Sequence, residues 1–170
     1  MKRMFLILPV VISLCLFDCG VWWASLPTKI DAVHRNGNFS DVLVSPFPLT
    51  DSGRIEWWEN NKAHIKAEYG IPEPKPDGYF EILFWSWDGI YRVDHGTDED
   101  SDLRCFADMP GKANCIVKSN IPLQVTHLRD GGFVFDINRG ERLYSRKESG
   151  GELSRRQDWE RVREKIRGSE

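Results

Sequence analysis

From Phe5 to Leu26 the chain carries one charged residue, Asp18, in 22 positions. At about 1.5 Å per helical residue, such a stretch spans the ~30 Å hydrocarbon layer of a bilayer. Trp22 and Trp23 stand where the helix would leave that layer, at the interface that indole rings favour. Pro27, which has no amide hydrogen, ends it. Lys2 and Arg3 precede the stretch, and Pro27 to Asp41 adds Lys29 and Arg35 against Asp31 and Asp41. That bias predicts a cytoplasmic N-terminus and an exported domain on the far side of the membrane. Residues 1–26 therefore read as a single-span transmembrane signal anchor. Two other readings exist. A cleaved signal peptide wants small residues at its cleavage site, and the bulky Trp pair spoils the sites near Ala24. Leu16-Phe17-Asp18-Cys19 has the Leu and Cys of a lipoprotein signal, but Asp18 stands where a small residue is expected. A carboxylate is costly in hydrocarbon. In the outer part of the span Asp18 can protonate or reach the headgroups; a partner-helix or proton-relay role is the alternative.

Beyond the anchor the apolar pattern changes period. Ile30 to Arg35 and Phe39 to Val44 read as strands joined by an Asn36-Gly37 hairpin. Thr50-Asp51-Ser52 opens a helix. Its inward face is Ile55, Trp58, Lys62, Ile65 and Tyr69, spaced 3, 4, 3 and 4, with the Lys62 stem at the edge. Gly70 followed by Pro72 stops it. The prolines at 72, 74 and 76 make an extended connector. Tyr79 to Trp87 is an aromatic strand with Phe80, Ile82 and Phe84 on one face and Leu83, Trp85 and Trp87 on the other. Asp88-Gly89 reads as a hairpin that returns through Ile90 to Val93. Leu103 to Phe106, Asn114 to Lys118, Leu123 to Leu128, Phe133 to Ile137 and Arg142 to Ser145 complete a set of short strands. Strands joined by turns imply an antiparallel sheet, and the one strong helix makes the class α+β, over residues 27–150. In residues 151–170, Ser154 and Gln157 form a capping-box pattern, and Trp159, Val162 and Ile166 share a face. They predict a charged amphipathic C-terminal helix.

Composition narrows the partners. The 170 residues hold 23 basic and 26 acidic side chains, a balance unlike that of a general nucleic-acid binder. Removing residues 1–26 leaves 21 basic and 25 acidic residues on 144, enough chain for one core. Cys105 and Cys115 close a short loop turned by Pro110-Gly111. In an oxidising compartment the pair predicts a structural disulfide, whereas a zinc or redox site would want CxxC-like spacing.

Candidate chemistry is sparse. There is no GxSxG, HExxH, GxxxxGK[ST] or GxGxxG. The four histidines, His34, His64, His95 and His127, are dispersed and read as surface residues, so no metal and no cofactor is expected. Asp98, Asp100 and Asp102 alternate like the start of a calcium loop. Leu103 stands where that loop needs Gly, and Met109 where it needs Glu. A solvated acidic hairpin tip that steers a basic partner is the expectation. Trp57, Trp58, Trp85 and Trp87 are either core or the lining of a groove, and with the three aspartates they make a candidate partner surface.

NGNFSDVLV, GRIEWWENNK, YFEILFWSWDG and LRCFADMPGKANCI, following an N-terminal anchor, resemble a family of small enterobacterial proteins described as putative membrane proteins of unknown function. WWENNK and RCFADM…KANCI are the most specific segments, and the resemblance runs to about Tyr144. It implies one N-terminal membrane segment and a small exported domain, and brings no catalytic residues. The expected function is a non-enzymatic, membrane-anchored periplasmic binding protein with a protein partner, in one version an immunity-type protein against an envelope toxin. The alternative is an envelope sensor or enzyme with a deep pocket on the Trp-rich surface. A weaker third option is a subunit of a membrane complex held through Asp18.

Overall fold

A computed structural model describes residues 26–118, 120–147 and 151–156. All of the expected 1–26 anchor but Leu26, and the tail from residue 157, lie outside the described residues. No described helix is long and apolar enough to cross a membrane.

The chain enters through the expected hairpin, β1 (Lys29–Asn36) and β2 (Phe39–Ser45), antiparallel around Gly37. Helix α1 (Asp51–Tyr69) follows. The Thr50 hydroxyl caps it by accepting the Gly53 amide at 3.1 Å. It stops at Gly70, whose φ of 72° suits glycine and whose amide reaches the Lys66 carbonyl. Ile55, Trp58 and Ile65 are buried on its inner face. The Lys62 ammonium sits 5.9 Å over the Phe133 ring, an edge position with its stem along apolar surface.

Strand β3 (Phe80–Ser86) then pairs parallel with β2. This corrects the purely antiparallel expectation. The connector through α1 carries the chain back to the same end of the sheet, and a helical crossover of that kind yields a parallel neighbour. Strands β4 (Arg92–Val93), β5 (Leu103–Cys105) and β6 (Ala113–Val117) form a separate antiparallel sheet in the order β4-β6-β5. Strands β7 (Leu123–His127), β8 (Phe133–Ile137), β9 (Arg142–Arg146) and β10 (Ser154–Arg155) return to the first sheet. Its order is β1-β2-β3-β7-β8-β9-β10.

Three local expectations are corrected. Asp88-Gly89 does turn the chain, with the Asp88 carboxylate accepting the Ile90 amide at 3.1 Å. It does not start a hairpin with β3, because β2 and β7 already occupy both sides of β3. Asp98–Asp102 is a short 3-10 turn that crosses from one side of β6 to the other, not a hairpin tip. Ser154 lies in a strand, opposite Ser145 in the β9–β10 pair, and the Arg156 amide donates to the Leu143 carbonyl at 2.8 Å, so the chain is still extended where the expected helix was to begin. Unpaired strand edge at β9 outcompetes the local capping pattern.

The alternation of β3 sorts two cores. Phe80, Ile82 and Phe84 face α1 in a large apolar cluster with Val42, Trp58 and Phe135. Trp85, flanked by Leu83 and Trp87, faces the small sheet in a second cluster with Leu43, Phe106 and Ile116. The molecule is thus three layers, α1, the seven-stranded sheet and the three-stranded sheet, an α+β arrangement.

Candidate functional site

Polar side chains buried in a small domain are either ties or chemistry. Two clusters lie between the sheets. Asp41 interrupts the buried run of β2 and is 4% exposed. It accepts the Trp85 indole N–H at 2.8 Å and the Arg104 guanidinium at 2.9 Å. Both its oxygens are therefore engaged, one from its own sheet and one from β5.

The second cluster centres on His34 of β1, which is 7% exposed and not the surface residue expected. Its Nδ1 lies 3.0 Å from Asp108 and its Nε2 2.8 Å from the Tyr91 hydroxyl. The carboxylate is acceptor-only, which assigns the Nδ1 proton and leaves Nε2 to accept from Tyr91 when the ring is neutral. The imidazole stacks on Phe106 with centroids 3.7 Å apart. The linear Asp–His–Tyr order resembles the skeleton of a nucleophile, base and orienting acid. Its electrostatics run the other way. Burial, aided by the Asp108 charge, raises the Tyr91 hydroxyl above its usual pKa, so the phenol is held protonated. The cluster joins β1 to the segments flanking β4 and β5.

A third cluster lies at the start of α1. Asp51 takes a two-pronged contact from Arg142 of β9, and the Tyr144 hydroxyl donates to it at 2.9 Å. Burial pushes the Asp51 carboxyl up, but the bonds from Arg142 and Tyr144 outweigh it and hold the group below the usual carboxylate range. Two turns on, Glu59 pairs with Arg146 of β9 at 2.9 Å.

The residues singled out in the sequence are dispersed. Trp58 and Trp85 are 1% and 4% exposed, in cores on opposite faces of the large sheet. Trp57 is half-buried against Phe47 and Phe84, with centroids 5.2 and 5.6 Å away. Trp87 is half-buried on the other face beside Tyr91. Asp98 and Asp102 are exposed, and the Asp100 carboxylate folds onto the His95 and Thr97 amides. Cys105 and Cys115 face each other across β5–β6 and form the disulfide. Asp94 lies within 4.8 Å of both sulfurs, but bonded sulfurs are not thiolates, so the group offers a metal only one ligand. His64 pairs with Glu68 on the outside of α1, His95 is exposed and His127 stacks on Phe80. Phe5, Asp18, Trp22 and Trp23 lie outside the described residues; Leu26 is the first described residue.

A groove of about 610 Å³ opens where the described chain begins, bounded by Leu26, Pro27, Phe47, Leu49, Trp87 and Pro122. Of the four candidate tryptophans it takes Trp87 alone. Its charged neighbours Asp31 and Arg54 are occupied: Asp31 accepts the Ser45 hydroxyl, and Arg54 donates to the Pro48 and Pro122 carbonyls and to Asn138 at 2.8, 3.1 and 2.8 Å; the Trp87 indole N–H is buried without a partner. Pattern reading missed both this groove and the Asp41 and His34 ties. An acid within the apolar run of β2 was the one local signal for Asp41; the partners of His34 lie 57 and 74 residues away.

Neither a search of curated proteins nor one of solved structures finds a match. The family described as "Enterobacterial putative membrane protein (DUF943)" matches residues 1–157, which extends the resemblance past Tyr144 to include β9 and β10. Spanning more than nine-tenths of the chain, that match places the protein in this enterobacterial membrane protein family.

Proposed function

We propose that the protein is a membrane-tethered, non-enzymatic interaction module, anchored by residues 1–26 with the folded domain on the periplasmic face of the inner membrane. The observation that carries this reading is how the domain spends its buried polar groups. Asp41 meets Trp85 and Arg104, and His34 meets Asp108 and Tyr91, so both clusters tie one sheet to the other, and the raised pKa of Tyr91 opposes a nucleophilic role. The Cys105–Cys115 disulfide suits an oxidising compartment, and Lys2 and Arg3 favour the orientation.

The partner is an envelope protein. In the most concrete version it is a toxin delivered to the envelope, which the domain occludes as an immunity-type protein, with the exposed acidic side chains of the Asp98–Asp102 turn steering a basic surface. The sensor or enzyme reading needs one pocket shared by the four tryptophans, and their division between two faces gives it no support.

Reporter fusions after Arg156 test the topology. A phosphatase active only in the periplasm should be active there, and a reporter active only in the cytoplasm should be silent; the reverse pattern overturns the reading. Deletion of the chain should sensitise cells to at least one envelope-acting toxin, and restoration should protect. Unchanged resistance to all such toxins removes the immunity version.

A further inference from the structure

Leu49 is 69% exposed, more than the other exposed large apolar side chains, Ile90 at 56% and Phe39 at 38%. It stands at the mouth of the groove whose near wall is Leu26 and Pro27. Leu26 also ends the apolar stretch that begins at Phe5. On the tethered reading, the wall formed by Leu26 and Pro27 directly follows the residues at which that stretch leaves the bilayer. On the same reading, Trp22 and Trp23, four and three residues before Leu26, are residue types that favour the interfacial layer. The groove's size falls in the ~300–1,000 Å³ range of small-molecule sites. Most of its polar groups are already bonded: Asp31 to Ser45, Arg54 to two carbonyls and Asn138, and Asn120 to Ser86. What remains is apolar wall, the Trp87 indole N–H, which is buried without a partner, and one cation, Lys29, which lines the groove, is exposed, and has no ion pair among the described residues.

We propose that this groove seats an acyl chain of a phospholipid from the leaflet in which the membrane segment ends, with Lys29 beside the lipid phosphate. The inference rests on the tethered reading above and adds to it. The domain is held against the bilayer by a second contact, with the face carrying Phe47, Leu49 and Trp87 turned to the membrane. The groove favours a lipid over a polar solute because its own polar groups leave a solute few hydrogen-bond partners. An acyl chain needs none. The acidic turn Asp98–Asp102 does not contribute to this wall, so it stays available to a partner.

The test uses the full-length chain in liposomes of phosphatidylethanolamine and phosphatidylglycerol, part of the phosphatidylethanolamine carrying a photoreactive diazirine on an acyl chain. After illumination, adducts are mapped by mass spectrometry. Adducts should appear on the peptides bearing Phe47–Leu49 and Trp87 as well as within residues 1–26. Leu49→Glu, at an exposed site that folding does not need, should cut the groove adducts about fivefold or more and leave those of residues 1–26 unchanged, because a carboxylate is unfavourable beside an acyl chain. Adducts confined to residues 1–26, including through cover of the groove by a second copy, overturn the proposal but not the anchor. So do groove adducts indifferent to Leu49→Glu. Absence of adducts from residues 1–26 overturns the anchor and the proposal with it.

Discussion

The two faces of the seven-stranded sheet are covered in different ways. On the helix face, fourteen buried apolar residues form one cluster, and the polar ties, Asp51–Arg142 and Glu59–Arg146, sit along one margin where α1 meets β9. On the other face only five buried apolar residues pack together. The small sheet there is fastened by Asp41–Arg104, by His34–Asp108 and His34–Tyr91, and by an internal disulfide. Non-directional burial tolerates small displacements; hydrogen-bonded ties hold only at one geometry. The helix layer should therefore govern global stability, and the small sheet should be a layer that opens locally at lower free energy.

The largest effect should come from Trp58→Ala, which empties the centre of the helix-face core. A loss of about 3–5 kcal/mol is expected, read as a lower urea midpoint with every probe shifting together. Asp41→Ala tests the other face. It strands the buried Trp85 N–H and one Arg104 contact, and should cost about 2–4 kcal/mol. Hydrogen exchange should quicken first at β6 while α1 amides keep the protection set by global unfolding. Equal acceleration in α1 and β6 would mean that the two layers open as one, and the contrast would be lost.

Reducing the Cys105–Cys115 bond should cost about 2–3 kcal/mol, by the loop entropy of its ten-residue separation. Exchange at β5 and β6 should rise with little change in α1. Asp51→Asn sharpens the comparison from the helix side, at about 1 kcal/mol near neutral pH. The Asp51 pKa is depressed in the folded state. Its stabilisation is thus present above the unfolded value and lost as pH falls through the folded one. The gap between wild type and variant should shrink below about pH 4, in paired urea titrations at pH 7 and pH 3.

The same contrast explains what could be read from the residues. The β1–β2 hairpin, α1 with its Thr50 and Gly70 ends, and the two-faced alternation of β3 are local patterns, and the structure follows them. Cys105 and Cys115 were legible because a disulfide needs only two residues and a compartment. The parallel β2–β3 pair, the separation of β4, β5 and β6 into their own sheet, and β10 were not. Two- and three-residue strands carry no period, and their partners are chosen by which edges remain open. The groove escaped for a similar reason: Leu26, Leu49, Trp87 and Pro122 are united only by tertiary structure. The helix face was visible because it repeats one requirement over many residues; the small-sheet ties are single residues far apart in sequence.

The smallest predicted effect bears most directly on the non-enzymatic reading. Tyr91→Phe removes one oxygen and keeps the ring that packs edge-on to His34 and Phe106, with centroids 5.8 and 6.5 Å away, and beside Trp87 at 5.2 Å. Loss of the His34 bond should cost about 1 kcal/mol, because Nε2 is then left buried without a donor. If the hydroxyl is a tie, the variant should be slightly less stable, exchange faster near β4, and still complement a deletion strain fully in whatever phenotype that strain shows. If complementation fails while stability and exchange stay at wild-type values, the hydroxyl acts on a ligand. The Asp108–His34–Tyr91 order would then be chemistry, and the small-sheet face would be the active one.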